Sequence, residues 1–263
     1  MHTRDPREYS RTFRLTLAYD GTAYRGWQVQ PDAPTVQGCL LVAAGQVLGK
    51  PVRVTGASRT DAGVHALRQV ASLVTSARLS ARSLAPALNA HLPREIRVLD
   101  ALEVDGAFDA RRAASGKRYA YLIDNDAVPS PLLLRYTWHV RAPLDLAAMR
   151  AALRLLRGTH DFSAFCASAG RDRRPVCTLR AAHVVRTRRL IAVVLSADSF
   201  LHHMVRNIVG SLVEVGRGRQ EPAWLGRVLE SRDRTRAGPT APGPGLVLVR
   251  VVYRRPSSPP DPP

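Results

Sequence analysis

Residues Arg59-Thr60-Asp61-Ala62-Gly63-Val64-His65-Ala66 place one aspartate on a short, cation-flanked turn between two strand-like runs, 52–55 and 69–75. A carboxylate held at a sheet end in this way is open to a substrate. A neighbouring cation such as Arg59 keeps it ionised, and ionised carboxylates act as nucleophiles. Taken alone, Thr60-Asp61-Ala62-Gly63 reads more simply as a β-turn, because Asp and Gly are favoured turn residues. His65, His202 and His203 raise the question of a metal, with Asp61 as a further ligand. The spacing speaks against it, since adjacent histidines on a helix point to different faces. No metal is expected.

The elements that must position these residues follow from hydrophobic period. Phe13, Leu15, Leu17 and Tyr19 alternate with polar or small neighbours, as in a strand. Helical spacing runs over 35–48, strands over 52–55 and 69–75, a helix over 80–92 and a strand over 95–104. Pro86 must then lie in the first turn of its helix or kink it. The order repeats further on. A strand over 117–124 leads to a helix capped by Asp145 and closed by Gly158. A hairpin follows over 176–187 and 190–197, turning at Arg188-Arg189. Helices over 202–215 and from Pro222, then a strand over 246–253, complete the order. Two β-α-β-β-α-β units predict an α+β fold: two ferredoxin-like halves sharing a mixed, largely antiparallel sheet with a central basic cleft. The halves are placed at 11–106 and 107–255, with proline- and charge-rich disordered tails at 1–10 and 256–263.

Size and charge narrow the class. A chain of 263 residues buries enough surface to need no disulfide or metal staple. Its three cysteines show no CxxC spacing, which fits a reduced, intracellular setting. With no apolar leader segment and no membrane-length apolar run, a cytoplasmic location is expected. The formal net charge is +18, and all the basic residues except Lys50 and Lys117 are arginines. An arginine-rich proteome explains Arg over Lys but not the excess over acid, so a polyanionic partner is expected. Arginine clusters at 111–112, 171–174 and 186–189 are candidate phosphate contacts. Each alone is more simply a solvated loop; together they imply a basic surface.

The eight-residue string around Asp61 resembles a signature of tRNA pseudouridine synthases of the TruA type. Other pieces match in the same order: Tyr19-Asp20-Gly21-Thr22-Ala23-Tyr24-Arg25-Gly26-Trp27-Gln28, Ala87-Leu88-Asn89-Ala90-His91-Leu92-Pro93 and Gly116-Lys117-Arg118-Tyr119. His160-Asp161-Phe162-Ser163, then 200–210 and 233–242, continue the match, so the resemblance spans about 13–253. Two positions depart from the pattern: Cys166, where a basic residue is frequent, and Val247, which replaces an aromatic.

The resemblance implies conversion of uridine to pseudouridine at positions 38, 39 and 40 of the tRNA anticodon stem-loop, without a cofactor, by a homodimer. It assigns the catalytic role to Asp61. Whether Asp61 attacks uracil C6, attacks ribose C1′ or removes the C2′ proton stays open. It assigns Tyr119 to the target base, where position alone leaves a half-buried strand tyrosine equally open. It assigns Arg206, otherwise a solvated helix arginine, to pairing with Asp61. Arg59 is a second cation for the site, holding a phosphate or the neighbours of the base. The alternatives are a pseudouridine synthase with other RNA targets, a non-catalytic RNA binder and a metal-dependent nuclease.

Overall fold

The alternation at 13, 15, 17 and 19 builds strand β1 (Arg11–Tyr19) in the computed structural model, which describes residues 11–167 and 174–254. The expected tails and most of the arginine cluster at 171–174 lie outside the described residues. Thr35 caps α1 (Val36–Leu48), its side chain accepting from the Gly38 N–H, and Gly49 ends the helix in the left-handed region. After β2 (Val52–Gly56) and β3 (His65–Thr75), Ser80 caps α2 (Ala81–His91), and β4 (Ile96–Val104) follows. Pro86 lies inside α2, past the first turn.

The later elements are β5 (Ala114–Asp124), β6 (Trp138–His139), α3 (Leu146–Arg154), β7 (Gly158–Asp161), β8 (Val176–Thr187) and β9 (Leu190–Ala197). They are followed by α4 (Met204–Gly216), α5 (Pro222–Ser231) and β10 (Leu246–Tyr253). Asp145 caps α3 through the Ala147 and Ala148 N–H groups, as expected. Gly158 does not close α3, however. The helix ends a turn earlier at Leu155, and Gly158, at φ 112°, opens β7. Arg188, at φ 52°, makes the β8–β9 turn.

All ten strands among the described residues join one mixed sheet, mostly antiparallel, in the order β4-β1-β3-β10-β5-β9-β8-β7, with β2 on β3 and β6 on β5. β3 changes partners along its length. Its first residues, His65 and Ala66, pair in parallel with Val247 and Leu248 of β10, whereas Ala71–Thr75 pair with β2. The loop from β2 to β3, which carries Asp61, therefore leaves the sheet at the seam between its early and late strands. Buried residues of both sides, from Phe13, Leu15 and Leu40 to Ile191, Ile208 and Leu212, form one packed apolar cluster. No helix among the described residues is long and apolar enough to cross a membrane.

The loop is clamped from both sides. The Trp27 N–H donates to the Thr60 carbonyl at 3.0 Å, and the Gly63 N–H to the Tyr24 carbonyl at 3.3 Å. Gly26 sits at φ 95°, and a Cβ there would lie 2.5 Å from the Thr60 oxygen. Only glycine admits both the backbone angle and the approach. Gly26→Ala is expected to cost about 1–3 kcal/mol, read as a lower urea midpoint. An unchanged midpoint would show that the loop is not clamped here.

Candidate active site

The loop from 57 to 64 leaves β2 through a bend at Ala57 and turns at Ala62-Gly63. Ser58 and Thr60 are buried, whereas Arg59 is exposed and Asp61 is half-buried. The Thr60 hydroxyl lies 2.8 Å from the Tyr19 hydroxyl, and the Ser58 hydroxyl 2.6 Å from that of Tyr119 on β5. Buried Gln69 ties these contacts together. Its amide donates to the Ser58 carbonyl at 2.7 Å, and its side-chain oxygen accepts from the Ser58 N–H at 3.2 Å. A fully paired buried network of this kind fixes the backbone that carries Asp61.

Arg206, in the first turn of α4, reaches across the seam. Its Nη1 donates to Asp61 Oδ2 at 3.1 Å while its Nε donates to the Ala241 carbonyl at 2.7 Å. One planar group thus holds two partners at fixed angles, which a lysine ammonium could not do in the same way. The Ala241 segment is itself anchored on α4. Arg234 donates to Asn207 Oδ1 and to Thr240 Oγ1, each at 3.0 Å, and the Thr240 hydroxyl donates to the same Asn207 oxygen at 2.7 Å. At Gly210 a Cβ would lie 1.7 Å from the Pro239 carbonyl oxygen, so the strap rests directly on the helix.

His202 and His203 do not lie inside α4. His203 is its N-cap residue at φ 60°, in the left-handed region, and the two rings stack with centroids 4.0 Å apart. Both therefore face Asp61: His203 Nε2 is 3.4 Å from Oδ2 and His202 Nε2 is 3.7 Å from Oδ1. The expectation that adjacent histidines diverge fails here, because it assumes helical backbone at both. Burial pushes the His203 imidazole below its ordinary pKa, with Asp61 opposing and Arg206, His202 and Arg234 reinforcing the shift. His65 stands apart from this cluster. Its Nδ1 accepts from the Gly21 N–H at 3.0 Å and its Nε2 donates to the Arg135 carbonyl at 2.8 Å, so it staples the segment after β1 to the loop before β6.

Asp61, Tyr119 and Arg59 line one cleft of about 770 Å³, together with Arg25, Arg111 and Lys117. That volume lies within the roughly 300–1,000 Å³ of small-ligand sites. Asp61 is the one acidic residue among the described residues lining it. Arg59 forms no hydrogen bond or ion pair among the described residues, so Arg206, not Arg59, is the partner of the carboxylate. The Tyr119 ring meets Phe200 edge-on at 5.1 Å, and burial pushes its phenol up to about 12, with the Ser58 hydrogen bond opposing. At neutral pH it is a neutral donor or acceptor beside an apolar wall.

A family model described as tRNA pseudouridine synthase matches residues 16–111 and 152–254. The chain belongs to this family. It is an isomerase acting on tRNA. The tRNA pseudouridine synthase A of Myxococcus xanthus is 47% identical over 242 residues, covering 92% of this chain and 91% of that protein. Its namesake from Moorella thermoacetica is 46% identical over 242 residues, covering 91% and 98%. That from Chloroflexus aurantiacus is 46% identical over 247 residues, covering 92% and 89%.

Within the synthase, Cys166 is buried at the end of the turn after β7, and Val247 is buried on β10, so both departures from the family pattern sit in the packed interior. Arg189 at the hairpin turn is committed to Asp124 through two hydrogen bonds, of 2.8 and 2.9 Å. Ser58, His202, His203 and the Ala241 strap are contributions that residue spacing did not mark as one site.

Raising the Tyr119 pKa above its unfolded value of about 10 means that the folded state holds the phenol proton more tightly. That stability is complete below pH about 10 and is lost as pH rises from about 10 towards 12. Tyr119→Phe is expected to lose less urea stability than wild type between pH 9 and pH 11. Equal losses would contradict the burial of a neutral phenol.

Proposed function

We propose that this synthase converts uridine to pseudouridine at positions 38, 39 and 40 of the tRNA anticodon stem-loop, with Asp61 as the catalytic carboxylate. The observation that carries this is the pairing of Asp61 with Arg206 at 3.1 Å on the wall of a cleft where Asp61 is the one acidic residue among the described lining residues, beside Arg25, Arg59, Arg111 and Lys117. The reaction breaks the N1–C1′ bond and forms a C5–C1′ bond. A proton leaves C5 and one arrives at N1, so no net electron transfer occurs and no redox group or cofactor is needed. Asp61 acts at the sugar-base junction, as nucleophile or as base. Arg206 pairs with the carboxylate and aims it. Tyr119 lies against the base, its hydroxyl positioned by Ser58 for proton traffic at C5. Arg59 holds a phosphate or the neighbours of the extruded base.

Extrusion of a paired uridine costs a few kcal/mol, offset by phosphate contacts from Arg25, Arg59, Arg111 and Lys117 around the cleft. The enzyme works in the cytoplasm as a homodimer, with one tRNA touching both subunits. The halves at 11–106 and 107–255 are ferredoxin-like units. Support comes from the matching strand orders, β4-β1-β3-β2 in one and β10-β5-β9-β8 in the other.

The test is tritium release from C5-labelled uridine in anticodon-arm transcripts, with chelator present, for wild type and Asp61→Asn. Wild type is expected to release tritium only where uridine occupies 38, 39 or 40, and Asp61→Asn to bind equally and release none. Substantial turnover by Asp61→Asn would remove Asp61 from the chemistry. Binding without release by wild type would favour a non-catalytic RNA binder, and release from other sites a different target.

A further inference from the structure

His203 pays a backbone penalty that helix capping does not explain. A non-glycine residue in the left-handed region costs on the order of 1–2 kcal/mol, yet the His203 side chain makes no capping hydrogen bond to α4. The rings of His202 and His203 lie against each other and beside Asp61, with the Arg206 and Arg234 charges also acting on His203. With this left-handed residue before α4, both imidazoles face the same carboxylate.

We infer that Asp61, His202 and His203 form a site for one borderline transition-metal dication, of the Zn²⁺ or Co²⁺ kind, whose occupancy blocks the cleft. The ligand atoms Nε2, Nε2 and a carboxylate oxygen lie within 4.8 Å of one another, with edges to Asp61 of 3.4 and 3.7 Å. A tetrahedral ion bound at about 2.0–2.1 Å to each ligand spans edges of about 3.3 Å. The His203 edge ends on Oδ2 and the His202 edge on Oδ1, so each imidazole stands near bound spacing from one carboxylate oxygen, and binding through a single oxygen requires one ring to shift. The remaining closure falls to His202, whose side chain is 38% exposed and open to adjustment. Two imidazoles and one carboxylate suit a borderline ion rather than Mg²⁺ or Ca²⁺, which take oxygen ligands. Three protein ligands leave a fourth position open to water.

Arg206 need not leave for this to happen. It donates to Oδ2, the oxygen that also faces His203, while Oδ1 faces His202. The net charge of +18 and the nearby guanidinium weaken the site relative to a structural zinc centre. Occupancy would neutralise Asp61 and fill the approach to it, so the ion acts as a reversible inhibitor. That consequence rests on the catalytic role proposed for Asp61; binding itself does not.

The test is a Co²⁺ titration of the untagged full-length chain without RNA, followed by visible ligand-field absorption, for wild type, His202→Ala and His203→Asn. Asn tolerates the left-handed backbone, so the second variant removes the imidazole without added strain. Wild type is expected to saturate at one equivalent. Each variant should bind at least about tenfold more weakly, the minimum that losing even an outer-shell partner costs. No saturable absorption, or absorption unchanged in both variants, would overturn the site. Isomerase assays with Zn²⁺ then read the consequence. Chelator-reversible inhibition of wild type that is relieved in His202→Ala is expected, and inhibition persisting undiminished in that variant would overturn it. No turnover enters the Co²⁺ titration, so its result stands whatever the role of Asp61.

Discussion

A half-buried ion pair between Asp61 on the β2–β3 loop and Arg206 on α4 ties residues far apart in the chain into one site. Their side chains are 23% and 15% exposed. Removing one partner leaves the other charge uncompensated, at a cost that grows with burial. Exposed pairs such as Arg227–Glu221, at 2.8 Å, contribute about 0–1 kcal/mol at most. The difference is burial, not distance. A carboxylate that must stay ionised in a cleft needs such a partner, and the partner must be held as firmly as the carboxylate.

The surrounding structure supplies that firmness on both sides. Gln69, Tyr19 and Tyr119 hold the loop through Ser58 and Thr60, so the backbone at Asp61 is fixed by hydroxyls and an amide rather than by sheet pairing. On the far side, Asn207, Arg234 and Thr240 hold the strap whose Ala241 carbonyl orients the Arg206 guanidinium. The partner switch along β3 explains why the loop can sit at the seam at all: β2 and β10 share one edge of β3, and the loop emerges between them.

Much of this was legible in the sequence, and the failures have physical causes. Strand β1 and helix α1 have clear periods and visible caps, so their positions follow from pattern alone. The family resemblance singles out Asp61, Tyr119 and Arg206, and the fold brings Asp61 and Arg206 into contact, with Tyr119 lining the same cleft. The start of β3 at His65 was hidden because it opens on a buried histidine and two exposed residues, Leu67 and Arg68, that break the alternation. β6 and β7 have two and four residues, too few to show a period. The left-handed backbone at His203 leaves no mark in composition, because histidine there looks like the continuation of α4. Partners of Arg206 such as the Ala241 carbonyl are backbone groups, which carry no residue-type signal.

The central claim is that geometry, not charge alone, makes Asp61 competent. Arg206→Lys keeps the charge but cannot hold Ala241 and Asp61 with one planar fork. The most direct measurement is the single-turnover rate of tritium release at saturating tRNA for this variant against wild type. The rate is expected to fall on the order of 10²-fold, with tRNA affinity nearly unchanged. A rate close to wild type would contradict the account, because it would mean that any nearby cation suffices.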